Sequence, residues 1–219
     1  MLVMLSNNNG IRVGHLAGKY PGQIGHLYSP GGQRGPYDFM PFALDNGAFA
    51  AFTHKTEWPL EPWLHLLDWA KLSGQRPKWV LVPDVVADRK ATIARWMQYS
   101  PVAARYGWPL AFAVQDGMDY RDVPVAASVV FVGGSTEWKW RTLPDWCARV
   151  KRVHVGRVNT YRRLKFADQC GAESCDGTGW TRGDQRQWRG LCAFLDGRQS
   201  TQDEMDFEAT ACSLPHSAP

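Results

Sequence analysis

The chain predicts an α/β fold, a compact TIM-like (β/α)8 barrel. Two observations carry that expectation. About eight short apolar, β-rich runs recur within residues 1–197, and amphipathic stretches of helical period lie between several of them. A third observation is how the runs end: several stop on a carboxylate, an amide or a glycine pair. In a parallel barrel the C-terminal strand ends open on one face, where active sites are built. A doubly wound open sheet is the rival arrangement for the same pattern.

"LVML" (2–5) opens the series and "IGHLY" (24–28) is a weaker second; "PFALD" (41–45) and "WVLVPDV" (79–85) follow. Then come "PLAFAVQ" (109–115), "SVVFVG" (128–133), "VHVG" (153–156) and "AESCD" (172–176). Helical periodicity marks 59–72, 88–105, 138–152 and 184–195. We expect residues 1–197 to form one catalytic domain. Residues 198–219, "RQSTQDEMDFEATACSLPHSAP", are polar and aperiodic and read as a mobile tail.

Composition narrows the classes. With 44% apolar and 21% charged residues the chain is globular in character. No apolar run is long enough for a membrane span. The opening "MLVMLSNNNG" lacks the basic lead and long apolar stretch of a secretory signal. Five cysteines, Cys147, Cys170, Cys175, Cys192 and Cys212, form no CxxC and leave one over, which suits a reducing compartment. A cytoplasmic protein is expected, in the host cytoplasm if a phage encodes it.

The net charge is +4, but the segment from Arg198 onward carries −3, so the remainder carries +7. Between Lys139 and Lys165 nine basic residues face one acid, Asp145. That excess suits a polyanion partner, with a solvated basic face as the plainer alternative.

The strand ends supply the chemistry. "FALD" ends in Asp45, "LVPD" in Asp84, "AFAVQ" in Gln115, "VVFV" in Gly133-Gly134 and "ESC" in Asp176. Any one acid in a loop is ordinarily a helix cap or turn former. Three carboxylates, an amide and a glycine pair at successive strand ends instead suggest one pocket. Cys175, next to Asp176, should face the other side of its strand, into packing. A nucleophilic thiol would need a cationic partner, and His154 is the candidate for that weaker alternative.

The motifs "ALDNGAF", "VPDVV", "AVQDG", "FVGGSTEW" and "SCDGTGWTRG" resemble, in order and spacing, the tRNA-guanine transglycosylase superfamily. The likeness is nearest to its short branch, the DNA-guanine transglycosylases of phages and bacteria that install 7-deazaguanines. It runs from about residue 40 to residue 185. The resemblance implies base exchange through a covalent enzyme–nucleic acid intermediate. It implies Asp176 as the nucleophile, Asp45 as the general acid/base and Phe49 as the aromatic that stacks on the base. It implies Asp84 as the acceptor for the guanine edge, with Gln115, Gly133 and Gly134 as donors to its carbonyl. The family's "DSGG" reads "DNGA" here, so Asn46 is expected to add a polar contact.

The chemistry is consistent with these roles. Breaking an N-glycosidic bond develops oxocarbenium character that a carboxylate stabilises and can trap. A second carboxylate must move a proton, because a purine anion leaves poorly. The tRNA enzymes carry a CxCxxC…H zinc site that the cysteine spacing here does not match, so no metal is expected. Nor is any other cofactor. That departure and the short chain favour DNA, single-stranded or a duplex with base flipping, together with a free 7-deazaguanine base such as the cyano form. Arg149, Lys151, Arg152, Arg157, Arg162, Arg163 and Arg182 are expected to hold phosphates. Trp138, Trp140 and Trp180 could stack or wedge, although packing is the ordinary role for each. Exchange on tRNA, base excision by water and a non-catalytic nucleic-acid-binding barrel are the alternatives. The sequence leaves open whether a partner protein or a homodimer is needed.

Overall fold

Each strand sends alternate side chains to two different apolar environments, and this alternation builds the molecule. The structure is a computed structural model that describes residues 1–6, 10–31 and 35–212, with side chains as far as residue 198. The strands are β1 (Leu2–Ser6), β2 (Ile24–Tyr28), β3 (Phe42–Leu44), β4 (Val80–Leu81), β5 (Leu110–Val114), β6 (Val129–Val132), β7 (Val153–Val155) and β8 (Ser174–Gly177). They pair in parallel in chain order, and β8 closes onto β1 through the register Met4↔Asp176. Closure excludes the open sheet. The (β/α) barrel expected from the sequence is the fold observed, and each of the eight apolar runs supplies a strand.

Inside the barrel, Leu2, Met4, Leu27, Ala43, Trp79, Leu81, Ala111, Ala113, Val129 and Phe131 pack together. The intervening residues, among them Val3, Leu5, Val80, Val82, Phe112, Val130, Val155 and Cys175, face the surrounding helices. Period-two alternation permits this split, and a one-residue register slip would invert it.

The helices are α1 (Ile11–Lys19), α2 (Ala48–His54), α3 (Leu60–Leu72), α4 (Arg89–Ala104), α5 (Thr136–Arg149), α6 (Tyr161–Gln169), α7 (Gly179–Arg182) and α8 (Gln185–Cys212). The β5–β6 connection carries only a 3-10 turn, Tyr120–Asp122. Helix α3 buries Trp63, Leu66, Leu67 and Ala70, one stripe at i, i+3, i+4 and i+7. Asp88 caps α4 by accepting from the Ala91 N–H at 2.9 Å, and Thr160 caps α6 by accepting from the Arg163 N–H. Among the described residues no helix is long and apolar enough to cross a membrane.

Helix α8 continues past Gly197 to Cys212, so the aperiodic polar segment is helical that far. Residues 213–219 of the expected tail lie outside the described residues. Trp138 and Trp180 are buried in the packing between strands and helices, and Trp140 packs against the same layer.

Candidate active site

The strand ends meet at one cavity of about 520 Å³, within the range typical of small-molecule sites. Asp45, Asn46, Phe49, Asp84, Gln115, Gly133, Gly134, Arg157, Asp176 and Arg182 all line it. The structure thus brings together every residue expected to touch the base or the sugar.

Asp176 ends the inward-facing series of β8. Its Oδ1 faces His154 Nε2 at 3.1 Å and accepts from the backbone N–H of Arg157 at 3.3 Å. Its Oδ2 has one long contact, 3.4 Å from the Ser6 hydroxyl. Cys175, beside it, is fully buried against the helix layer. Burial raises its thiol pKa well above the ordinary value, so the thiolate reading has no support here.

Asp45 follows β3, and its Oδ2 accepts from the Ser29 hydroxyl at 2.8 Å. Burial lifts its pKa to about 6, opposed by the Ser29 hydrogen bond and reinforced by the charges of Asp176 and Asp84. Such a carboxyl can hold or release a proton near neutrality.

Asp84 sits in a network of amides. Asn46 Nδ2 donates to its Oδ1 and Gln115 Nε2 to its Oδ2, both at 2.7 Å. Burial raises the Asp84 pKa, opposed chiefly by the Asn46 hydrogen bond. Asn46 also donates to Val82 O at 2.9 Å and accepts from the Ala48 N–H at 2.8 Å, tying β3, β4 and α2 together. The turn needs Gly47, whose φ of 76° is left-handed and whose added Cβ would lie 3.2 Å from Pro30. This is the structural content of the "DNGA" motif.

Gln115 Oε1 accepts from the N–H groups of Ala87 at 2.9 Å and Gly134 at 3.0 Å. The Gly133 N–H donates to Val114 O at 3.1 Å. Both glycine N–H groups are therefore engaged within the protein. Gly134 has φ 68°, and a Cβ there would lie 2.6 Å from the Asp116 carboxylate.

Phe49 is 44% exposed at the cavity rim, with the Arg157 guanidinium 4.3 Å from its ring centre. Arg157 also donates to Gly134 O and has a left-handed φ of 60°. One residue thus spans the cavity from the Asp176 side to the Phe49 side.

The basic run does not form one face, and here the sequence expectation needs correction. Arg162 and Arg163 open α6, just beyond the C-terminal end of β7, on the cavity side. Arg149 ends α5, and Lys151 and Arg152 precede β7, so these three lie at the opposite end of the barrel. Arg152 is held there by Glu173 through bonds of 2.7 and 2.9 Å. Helix α5 runs antiparallel to the strands, which separates residues that are near in sequence. Lys139, counted in the same run, is buried and donates from Nζ to Gly156 O. Burial and the nearby Arg157 charge lower its pKa to about 7.

Sequence reasoning missed His154 as a neighbour of Asp176, and Ser6, Ser29 and Asn159 as cavity residues. The inward parity of "VHV" was the one available signal for His154. Among the described residues no group of three His, Cys, Asp or Glu is placed to share a metal ion.

The sequence matches no protein-family model and no curated protein.

Proposed function

We propose that the chain is a transglycosylase that exchanges a guanine in DNA for a free 7-deazaguanine base through a covalent Asp176–deoxyribose intermediate. The observation that carries the reading is one cavity holding two differently embedded carboxylates, Asp45 and Asp176, beside the Asp84–Asn46–Gln115 network.

In the first half-reaction Asp176 forms a bond to C1′ as the C1′–N9 bond breaks, and the electron pair leaves with guanine. Asp45, whose burial raises its pKa to about 6, supplies from its acid form the proton that the departing purine needs. Asp84 accepts from the N1 and amino hydrogens of the base, and Gln115 donates to its oxygen. In the second half Asp45 removes the N9 proton of the incoming deazaguanine. That nitrogen then bonds C1′ and releases the Asp176 carboxylate. Phe49 offers a ring for stacking. Arg157 and Arg182, which line the cavity, and Arg162 and Arg163, at the start of α6 on the same side of the barrel, suit a polyanion whose target base has been extruded. The cysteine spacing, which departs from the zinc motif of the tRNA enzymes, favours DNA.

The test is incubation with DNA or tRNA plus labelled 7-deazaguanine bases, followed by nucleoside mass spectrometry. Incorporation into DNA with stoichiometric guanine release is expected. Incorporation into tRNA alone, or guanine release that leaves abasic sites, would overturn the reading.

A further inference from the structure

His154 is fully buried inside the barrel, stacked on Phe131 with ring centres 4.8 Å apart and edge-on to Trp79 at 4.8 Å. Its Nδ1 lies 2.8 Å from the Ser174 hydroxyl and its Nε2 lies 3.1 Å from Asp176 Oδ1. Asp, His and Ser in hydrogen-bond series invite comparison with a serine nucleophile. The direction is wrong for that, because Asp176 lines the cavity whereas Ser174 and His154 do not. The carboxylate is at the open end and the hydroxyl at the closed one.

The polarity of the chain follows from the donors available. An ionised carboxylate has no hydrogen to give, so the shared hydrogen must sit on His154 Nε2. A neutral ring that donates there must accept at Nδ1, which the Ser174 hydroxyl can supply. The two aromatic contacts fix the ring plane. Asp176 Oδ1 therefore receives two donors, His154 Nε2 and the Arg157 N–H, while Oδ2 has only the long contact to Ser6.

We propose that His154, oriented by Ser174, is a positioning residue that commits Oδ2 of Asp176 to attack and holds Oδ1 through the reaction cycle. The inference rests on the transglycosylase reading given above. As Oδ2 bonds C1′ and the C1′–N9 pair leaves with the purine, Oδ1 becomes the ester carbonyl oxygen. The same two donors then face that oxygen, as the donors of an oxyanion hole would. When the new base displaces the ester, they receive the returning negative charge without reorganisation. Phe131 and Trp79 cover the His154 ring, which is fully buried, so that donor acts in a medium of low dielectric constant.

The experiment uses the full chain with His154→Leu, His154→Gln and Ser174→Ala. It measures single-turnover formation of the protein–DNA adduct and, separately, DNA affinity. His154→Leu is expected to slow adduct formation by about 100-fold, the scale of a missing oxyanion donor, with DNA affinity changed by no more than about twofold. His154→Gln, which keeps an N–H donor, should recover roughly tenfold of that loss, and Ser174→Ala should slow the step by about tenfold. A role in packing alone would predict no rescue by Gln and no effect of Ser174→Ala. Nitrogen NMR of histidine-labelled protein supplies a readout independent of activity. One ring should be protonated at Nε2 and bare at Nδ1, and its signals should move in Asp176→Ala. Wild-type adduct rates in a folded His154→Leu or in Ser174→Ala would overturn the proposal, as would an Nδ1-protonated, Nε2-bare ring. If His154→Leu does not fold, His154→Gln and Ser174→Ala decide. A wild-type protein that forms no adduct removes the transglycosylase reading itself and this role with it, whatever the NMR shows.

Discussion

Gln115 Nε2 donates to Asp84 Oδ2 at 2.7 Å, joining the end of β5 to the loop after β4 across the cavity wall. With Asn46 on the other carboxylate oxygen, Asp84 is held in one orientation. A carboxylate fixed in this way loses little freedom when a ligand binds.

Removing that acceptor should therefore be costly in a selective way. Asp84→Ala is expected to lower kcat/KM for guanine exchange by about 100-fold or more, because the donors on both the base and the protein lose their partner. DNA affinity should change little, since phosphates and not bases set it. Parallel exchange and binding measurements check both parts. Equal losses in the two would place Asp84 outside base recognition.

Asp45 gives a pH prediction with a definite sign. Its folded-state pKa of about 6 lies above the ordinary 3.8, so the folded protein binds the extra proton. The stabilisation from that proton is complete below the ordinary value and is lost as pH rises through about 6. Asp45→Asn, which cannot ionise, should be about 1–3 kcal/mol more stable than the wild type at pH 8, and that advantage should vanish near pH 4. Thermal melts across that range check it. Adduct formation by the wild type, which uses the acid form, should decline as pH rises above about 6.

The division of the basic run separates two groups of arginines. Charge reversal at Arg162 and Arg163, on the cavity side, should weaken DNA binding for all sequences alike. It should also reduce the slope of log affinity against log salt by about one for each phosphate no longer neutralised. Reversal at Arg149 and Lys151, at the far end of the barrel, should leave affinity within about twofold. Binding titrations over a salt series measure both. The opposite ranking would move the nucleic-acid path to the other face.

Lys139 supplies a second titration. Its pKa of about 7 lies below the ordinary 10.5, so the unfolded chain binds more protons between those values. Stability should accordingly rise with pH from about 7 towards 10. Lys139→Met should flatten that rise. A slope unchanged by the substitution would show that other groups cause it.

Much of the architecture was legible because alternation is a local signal. "LVML", "AFAV" and "VVFV" each carry both faces of a strand, and Asp45, Gln115 and Asp176 stand at strand ends by parity alone. Other features depend on contacts remote in sequence. Helix α2 has only seven residues and starts from the Asn46–Ala48 bond and the left-handed Gly47, so no periodicity marks it. His154 meets Asp176 only because β7 and β8 pair in the register His154↔Ser174. Arg149 and Arg162 look like one patch in sequence, and the direction of α5 places them at opposite ends of the barrel.

The covalent intermediate tests the central claim most directly. The protein is incubated with guanine-containing DNA without free base, denatured, digested and analysed by mass spectrometry. The expected product is a deoxyribose-linked adduct on the peptide bearing Asp176, with guanine released in equal amount. Adding a 7-deazaguanine before denaturation should discharge the adduct into modified DNA, and Asp176→Ala should form none. Base exchange that proceeds in Asp176→Ala at the wild-type rate, or an adduct on another residue, would contradict the assignment.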